Sequence, residues 1–456
     1  MTPILSSPQK IRLASDRRRS LLEQLGRAIS FPVVAQVDLP EVDPLAWLAG
    51  QSFPFRIVWG SREPHTSIVA ATGIAASLAT QVDTSPSDVV GRCRQVIGHH
   101  PTLRIYGGFS FDGRADWPDF GAGRFWLPRF VLQQSVLQVT AVDAADLPRA
   151  IADVEQLEWE AAKWEQGRFR ELPPPVRRED NPDPRGWNSN VAEALQMIRA
   201  EVLEKIVLAR QVNVGFATPL DPITLMMRLI DATPGCYHFC FQIAPQHAFL
   251  GATPERLFHL SKRQLLSEVV AGTRPRGDTV GQDQRLAYDL LTSEKDQLEH
   301  DIVRKSIRQR LHRLVDHLEV DSHASLLKLS RKQHLYSAVE ARLKSDVGEG
   351  AIIERLHPTP AVGGYPPENA LPEIARLESF ERGWYAAPVG WISADEAEFA
   401  VAIRSGRIHG REMSLYSGAG IVEGSVAEDE WNEIENKISD FLEIIGAAPC
   451  AEASDR

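Results

Sequence analysis

The sequence predicts an α+β protein, in which long helices are mixed with many strands of antiparallel character. Three observations carry this reading. Residues 282–317 and 428–445 show apolar positions at helical spacing over long stretches. Between such stretches lie short alternating runs, of which Lys205-Ile-Val-Leu-Ala-Arg210 is a clear case. No regular strand–helix–strand repetition and no internal repeat of fixed period is present, which argues against a parallel doubly wound sheet.

The elements follow in chain order. Residues 15–29 predict a helix, capped by Ser15 and Asp16 and striped by Leu21, Leu22, Leu25 and Ile29. Strands are expected at Phe55-Arg-Ile-Val-Trp59, at 103–111 and at 136–142, then a helix over 146–167. The Pro-rich, charged stretch Glu171-Leu-Pro-Pro-Pro-Val-Arg-Arg-Glu-Asp-Asn-Pro-Asp-Pro184 fits neither a helix interior nor a central strand. Residues 171–187 therefore read as a connector between an N-terminal half, 1–170, and a C-terminal region, 188–450. A helix capped by Asn188 or Ser189 is expected to run to about residue 204. Further strands are expected at 237–244, 247–251, 256–272, 384–392, 397–404 and 407–417. The helical stretch 282–317 has a possible break at Thr292-Ser293.

The bulk properties exclude several classes. The chain has 456 residues, 43% of them hydrophobic, enough for a sizeable core. Its net charge of −11 argues against a nucleic-acid partner, which needs clustered Lys and Arg. An anionic ligand would have to be drawn by a local positive group or a metal. Four cysteines are too few for a disulfide framework. Cys236 and Cys240 flank His238, but a single Cys pair is weak support for zinc, and the segment reads as a strand. No apolar stretch approaches the roughly 18 residues of a membrane span, and no apolar signal core opens the chain. The expectation is a cytoplasmic protein acting on a small molecule, without a membrane.

Several residue groups carry chemistry. Asp296 and Glu299 lie three apart on one predicted helix face; Glu430, Glu433 and Lys437 line a face of the last helix. Such pairs are commonly solvated acidic faces, but two facing each other make a Mg²⁺ clamp. Lys205 heads a strand; it is inert there if exposed, and a base if burial or a cationic neighbour lowers its pKa. Glu255, in the turn after Gly251-Ala-Thr-Pro254, is either a surface glutamate or a general acid. Arg404 has small neighbours, Ala400 and Ala402, on its strand face, which suits bidentate capture of a carboxylate. The glycines of Ser417-Gly-Ala-Gly420 let backbone N–H groups approach an anion, and Gly272-Thr273 offers a similar cradle. His357-Pro-Thr-Pro-Ala-Val-Gly-Gly-Tyr365 is a shaped loop of the kind that lines sites.

With these residues assembled, the chain resembles the chorismate-binding enzymes: isochorismate, salicylate, anthranilate and aminodeoxychorismate synthases. The specific combination is Leu356-His-Pro-Thr-Pro-Ala, Arg382-Gly-Trp-Tyr-Ala-Ala-Pro-Val-Gly and Gly418-Ala-Gly-Ile-Val-Glu-Gly-Ser425. Tyr106-Gly-Gly-Phe-Ser-Phe-Asp112 and Phe125-Trp-Leu-Pro-Arg129 are similar to N-terminal segments of isochorismate synthases, so the resemblance covers nearly the whole chain.

The resemblance implies one large unit of two antiparallel sheets packed face to face with helices outside. Anthranilate synthases carry glutamine where Lys205 stands, and aminodeoxychorismate synthases a nucleophilic lysine where Ala271 stands. Lys205 with Ala271 therefore implies water as nucleophile and no glutamine amidotransferase subunit. The resemblance also implies Mg²⁺ held by Glu299 and Glu433, with Asp296 and Glu430 behind. Lys205 would be the base and Glu255 the acid. Tyr385, Arg404 and Gly418 would hold the enolpyruvyl carboxylate, with Gly272, Thr273, His334, Gly420 and Lys437 completing the pocket. The expected product is isochorismate, destined for a menaquinone-type quinone or a siderophore, and the alternative is salicylate with pyruvate release. A monomer is expected. Two departures stand out: Thr253 where serine is frequent, and Ala387 where many relatives have glycine.

Overall fold

The computed structural model describes residues 7–40, 42–63, 67–80, 84–114, 116–159 and 171–447. Every strand pairing among them is antiparallel, as the sequence predicts. The strands form two arms that share Gly123–Gln133. One arm runs from Val33–Asp38 through Val136–Ala141, the shared strand, Val69–Ala79, Arg56–Gly60, Tyr237–Ala244, His247–Thr253, Ser405–His409 and Glu412–Ile421 to Lys205–Phe216 and Pro175–Asn181. The other leaves the shared strand through Ile105–Phe109, Pro388–Ile392, Glu396–Val401, Arg256–Ser261 and Gln264–Pro275. It ends on Lys332–Leu343 with its two short partners.

Alternation explains why the arms stack. In Tyr237–Ala244, the side chains of Tyr237, Phe239 and Phe241 enter a core shared with Phe258 and Phe399 of the other arm. His238, Cys240 and Gln242 point the opposite way. Cys240 joins a second core, closed by Leu21, Leu25, Trp47, Leu225, Phe441 and Leu442 from helices on the outside. Each fully buried Phe of this kind contributes about 1.5–3 kcal/mol. His238 meets Thr233 Oγ1 at 2.8 Å within this packing. No helix among the described residues is long and apolar enough to cross a membrane.

Several boundaries differ from expectation. The first helix is Ser7–Gly26, so Ile29 lies beyond it and is 99% exposed. The helix expected over 146–167 is Leu147–Glu155, and residues 160–167 of that reading fall outside the described residues. Within the expected connector, Pro175–Asn181 pairs as an edge strand, where its first-residue proline and its charges are tolerated. The next helix is Pro184–Arg199, capped by Asp183 Oδ1 on the Gly186 N–H and not by Asn188 or Ser189; the Pro at its first turn marks that start. The 282–317 stretch breaks at Ser293, which ends Val280–Thr292 and caps Glu294–Leu311. Beyond it Val315–Val320 is a strand. The 256–272 and 407–417 stretches each hide a tight turn, giving Arg256–Ser261 with Gln264–Pro275, and Ser405–His409 with Glu412–Ile421.

Candidate active site

Lys205 opens the strand Lys205–Phe216, opposite Tyr365 of the shaped loop. Its side chain is fully buried, and Nζ donates to Glu299 Oε1 at 2.8 Å. Glu299 comes from Glu294–Leu311, the helix laid over Gln264–Pro275. Gly420, on the strand beside Lys205–Phe216, permits this meeting: a Cβ there would overlap both Glu299 Oε1 and Lys205 Cε. Burial pushes the Glu299 carboxyl up. The Lys205 charge and hydrogen bond, with Lys437 and Lys295, outweigh burial and hold it below the ordinary glutamate value.

Glu255 is buried in the turn between His247–Thr253 and Arg256–Ser261. Its N–H donates to Thr253 Oγ1 at 3.2 Å and its carbonyl accepts from the Val401 N–H at 3.1 Å. Threonine thus supplies the hydroxyl that serine would. Burial, then the charge of Glu268, raise the Glu255 carboxyl to about 8, against the opposing charges of Lys205, Lys437 and Arg404. Glu255 therefore keeps its proton at neutral pH, the state a general acid needs.

Arg404 follows the strand Glu396–Val401 with φ of 49°, in the left-handed region. Its Nη2 lies 2.9 Å from His334 Nε2. A guanidinium only donates, so Nε2 accepts and the imidazole proton sits on Nδ1. That nitrogen lies 3.1 Å from both Gly272 O and Thr273 Oγ1. Burial and then the Arg404 charge drive the His334 pKa well below its ordinary value, so the ring is neutral. Tyr385 stacks on Tyr416 at 5.4 Å, and Gly418 leaves room for its hydroxyl, since a Cβ there would stand 3.1 Å from it. Ala386, φ 60°, is a left-handed non-glycine residue of this loop, next to the Ala387 that departs from the family pattern. Lys437 Nζ donates to Gly418 O at 3.0 Å and pairs with Glu433 Oε1 at 2.6 Å.

These groups converge on one cavity. Its wall carries Glu255, Gly272, Thr273, Glu299, His334, Tyr385, Arg404, Gly418, Glu433 and Lys437. Lys205, Gly420, Asp296 and Glu430 are not on that wall. The first two abut Glu299. Asp296 packs against Gly272, whose φ of 64° and missing Cβ admit it. Glu430 is tied in through Lys295. An adjoining cavity shares Thr273 and Glu433 and also carries Lys295 and Asp296.

Among the described residues no three His, Cys, Asp or Glu side chains form a preset metal cage. Each of the four carboxylates instead meets a basic group: Glu299 meets Lys205, Glu433 meets Lys437, Asp296 meets Arg274, and Glu430 meets Lys295. Burial and then the neighbouring Glu433 push the Glu430 carboxyl up. Burial lowers the Lys295 pKa, but Glu430, Glu433 and Glu299 together raise it above its ordinary value. Carboxylate oxygens are the hard donors that a divalent cation such as Mg²⁺ takes, and here each of the four carboxylates is held by a basic side chain of its own.

Sequence reasoning assigned no role to Lys295, or to the buried pair of Arg382 and Glu378. Arg382 donates to Val362 O at 2.7 Å and Val207 O at 2.9 Å, while Glu378 accepts from the Ala209 N–H at 2.8 Å. The pair therefore ties the shaped loop to the Lys205 strand. Its signal was available in the motif that begins at Arg382.

The protein family described as chorismate binding enzyme matches residues 21–446. Isochorismate synthase 2, chloroplastic, of Arabidopsis thaliana is 37% identical over 84% of this chain and 71% of its own length. Isochorismate synthase MenF of Escherichia coli (strain K12) is 32% identical over 92% of this chain and 95% of its own. The solved structure of the menaquinone-specific isochorismate synthase MenF from Escherichia coli superposes with a TM-score of 0.83 at 30% identity, covering 94% of this chain and 99% of that one. Anthranilate synthase component I from Streptococcus pneumoniae shares the fold, with a TM-score of 0.66 at 20% identity over 90% of this chain and 93% of that one. With the match spanning both arms of the sheet and every wall of the cavity, the chain belongs to the chorismate binding enzymes.

Proposed function

We propose that this chain isomerises chorismate to isochorismate with Mg²⁺ as cofactor. The observation that carries the reading is the meeting, at one cavity, of the buried Lys205–Glu299 couple with a buried Glu255 that keeps its proton at neutral pH. Relatives named isochorismate synthases that align along most of the chain support it.

Glu299 and Glu433, backed by Asp296 and Glu430, are the residues that would hold Mg²⁺, whose charge would neutralise the ring carboxylate of the substrate. Lys205, once it has released to solvent the proton it carries in its ion pair with Glu299, takes a proton from water as that water attacks the ring carbon next to the carboxylate. The ring double bond shifts, and Glu255 gives its proton to the departing ring hydroxyl. One water enters and one leaves, so the reaction is an isomerisation. Tyr385 and Arg404, beside the Gly418 backbone, hold the enolpyruvyl carboxylate. Neutral His334 accepts from Arg404 and so fixes the guanidinium without competing for its charge. Gly272, Thr273 and Lys437 complete the walls, and Gly420 keeps room for Lys205. Positioning and fixed charge carry most of the rate, because these groups are already ordered by the fold.

Lys205 supports water over ammonia as nucleophile, so the chain is proposed to act without an amidotransferase subunit, as a cytoplasmic monomer supplying quinone or siderophore synthesis. The test is incubation with chorismate and Mg²⁺, without ammonia or glutamine, and chromatography of the products. Isochorismate without pyruvate is the expected result; salicylate with stoichiometric pyruvate would place the chain among the lyases.

A further inference from the structure

Glu255 is held by a device that begins far away in the sequence. Arg62, after the strand Arg56–Gly60, donates from Nη1 to Pro254 O at 2.5 Å. The same guanidinium makes a two-point contact with Glu268, at 2.8 Å to Oε1 and 2.6 Å to Oε2. Glu268 Oε1 also accepts the Arg256 N–H at 2.7 Å. The residues on either side of Glu255 are thus both clamped by one ion pair, whose glutamate side chain is fully buried. With Thr253 and Val401 holding Glu255's own N–H and carbonyl, four successive backbone groups are fixed.

We propose that Arg62 and Glu268 are positioning residues for Glu255, locking the backbone on both sides of the acid and setting the charge it faces. The proposal rests on the assignment of Glu255 as general acid under Proposed function. Its electrostatic part has a clear sign. Glu255 faces Glu268 from Gln264–Pro275, Lys205 from Lys205–Phe216, Lys437 from the helix Ala427–Ile445, and Arg404 after Glu396–Val401, with Tyr385 nearby. Three of these are cations that favour ionised Glu255. Glu268 is the anion that opposes them, and after burial it is the largest influence keeping the proton on.

The experiment measures kcat and kcat/KM against pH, with Tm, for the wild type, Glu268→Gln, Arg62→Gln and Glu255→Gln. Glu268→Gln keeps an oxygen for the Arg256 N–H but removes the charge. Its alkaline limb should move to lower pH by roughly half a unit or more, the direction expected when a like charge leaves a carboxyl. KM for chorismate should stay nearly unchanged. Arg62→Gln leaves the Glu268 charge unneutralised and should move the limb the other way; it also serves if Glu268→Gln does not fold. A folded Glu268→Gln with its limb at the wild-type pH, or with activity lost equally at every pH, overturns the proposal. Glu255→Gln separates the two readings: if it turns over normally, the acid assignment itself fails; if it is inactive while the limb of Glu268→Gln stays put, only the positioning role fails.

Discussion

Lys205 and Glu299 form a buried ion pair with Nζ and Oε1 2.8 Å apart, and the strand glycine at 420 is what lets them meet. The proposed base and a carboxylate proposed to hold the metal are thereby coupled, because each is the other's direct partner. Disturbing either should therefore be felt at both functions.

Lys205→Ala should lower kcat by about two orders of magnitude or more, the usual size of a general-base contribution. Chorismate binding, followed by calorimetry, should persist. Turnover within a few-fold of wild type in a folded variant would remove Lys205 from the base role.

Glu433→Ala should abolish the Mg²⁺ dependence of chorismate binding, and it frees Lys437 from its 2.6 Å partner. A Mg²⁺ titration of substrate affinity is the check. A titration that matches the wild type would move the metal elsewhere.

The pH dependence follows from Glu255. Because the acid must carry its proton, kcat should fall as pH rises through about 8. Stability should move in the same direction. The folded-state pKa is raised above the unfolded one, so the folded protein binds more protons between them and loses stability as pH climbs through that window. Glu255→Gln, inactive, should therefore gain Tm over wild type more at pH 8 than at pH 5. An equal difference at both values would mean that Glu255 is ionised in the folded protein.

Gly420→Ala is a conservative change with a severe expected result. The added methyl would overlap Glu299 Oε1 and Lys205 Cε, so one must leave its place. The expected outcome is a folded protein with turnover reduced at least about tenfold, as small misplacements of catalytic groups commonly cost. Activity near wild type would show that the pair tolerates separation.

Much of this was legible in the chain. The 3.6-residue spacing placed Asp296 with Glu299 and Glu430 with Glu433, and two-residue alternation placed Lys205 on the strand face it occupies. Turns were harder to read. The stretch 256–272 looks like one strand because Ser261-Lys-Arg-Gln264 carries no Gly or Pro, and Lys262 adopts the turn with φ of 56°. The partners of charged groups were not legible at all. Nothing in the sequence near Arg62 says that it ends beside Pro254, because that contact depends on Arg56–Gly60 pairing with Tyr237–Ala244. The proton position on His334 likewise depends on an arginine 70 residues away.

The interleaving of the two sheet arms has a consequence for how the chain reaches this state. Arg56–Gly60 must wait for Tyr237–Ala244, and Tyr106 pairs opposite Trp391. During synthesis the early strands leave the ribosome with edges open long before their neighbours exist. Loop closure over such distances makes folding slow and leaves aggregation-prone surface exposed meanwhile. A protein built this way should lean on chaperones for its first assembly, and once assembled it should unfold as one cooperative whole.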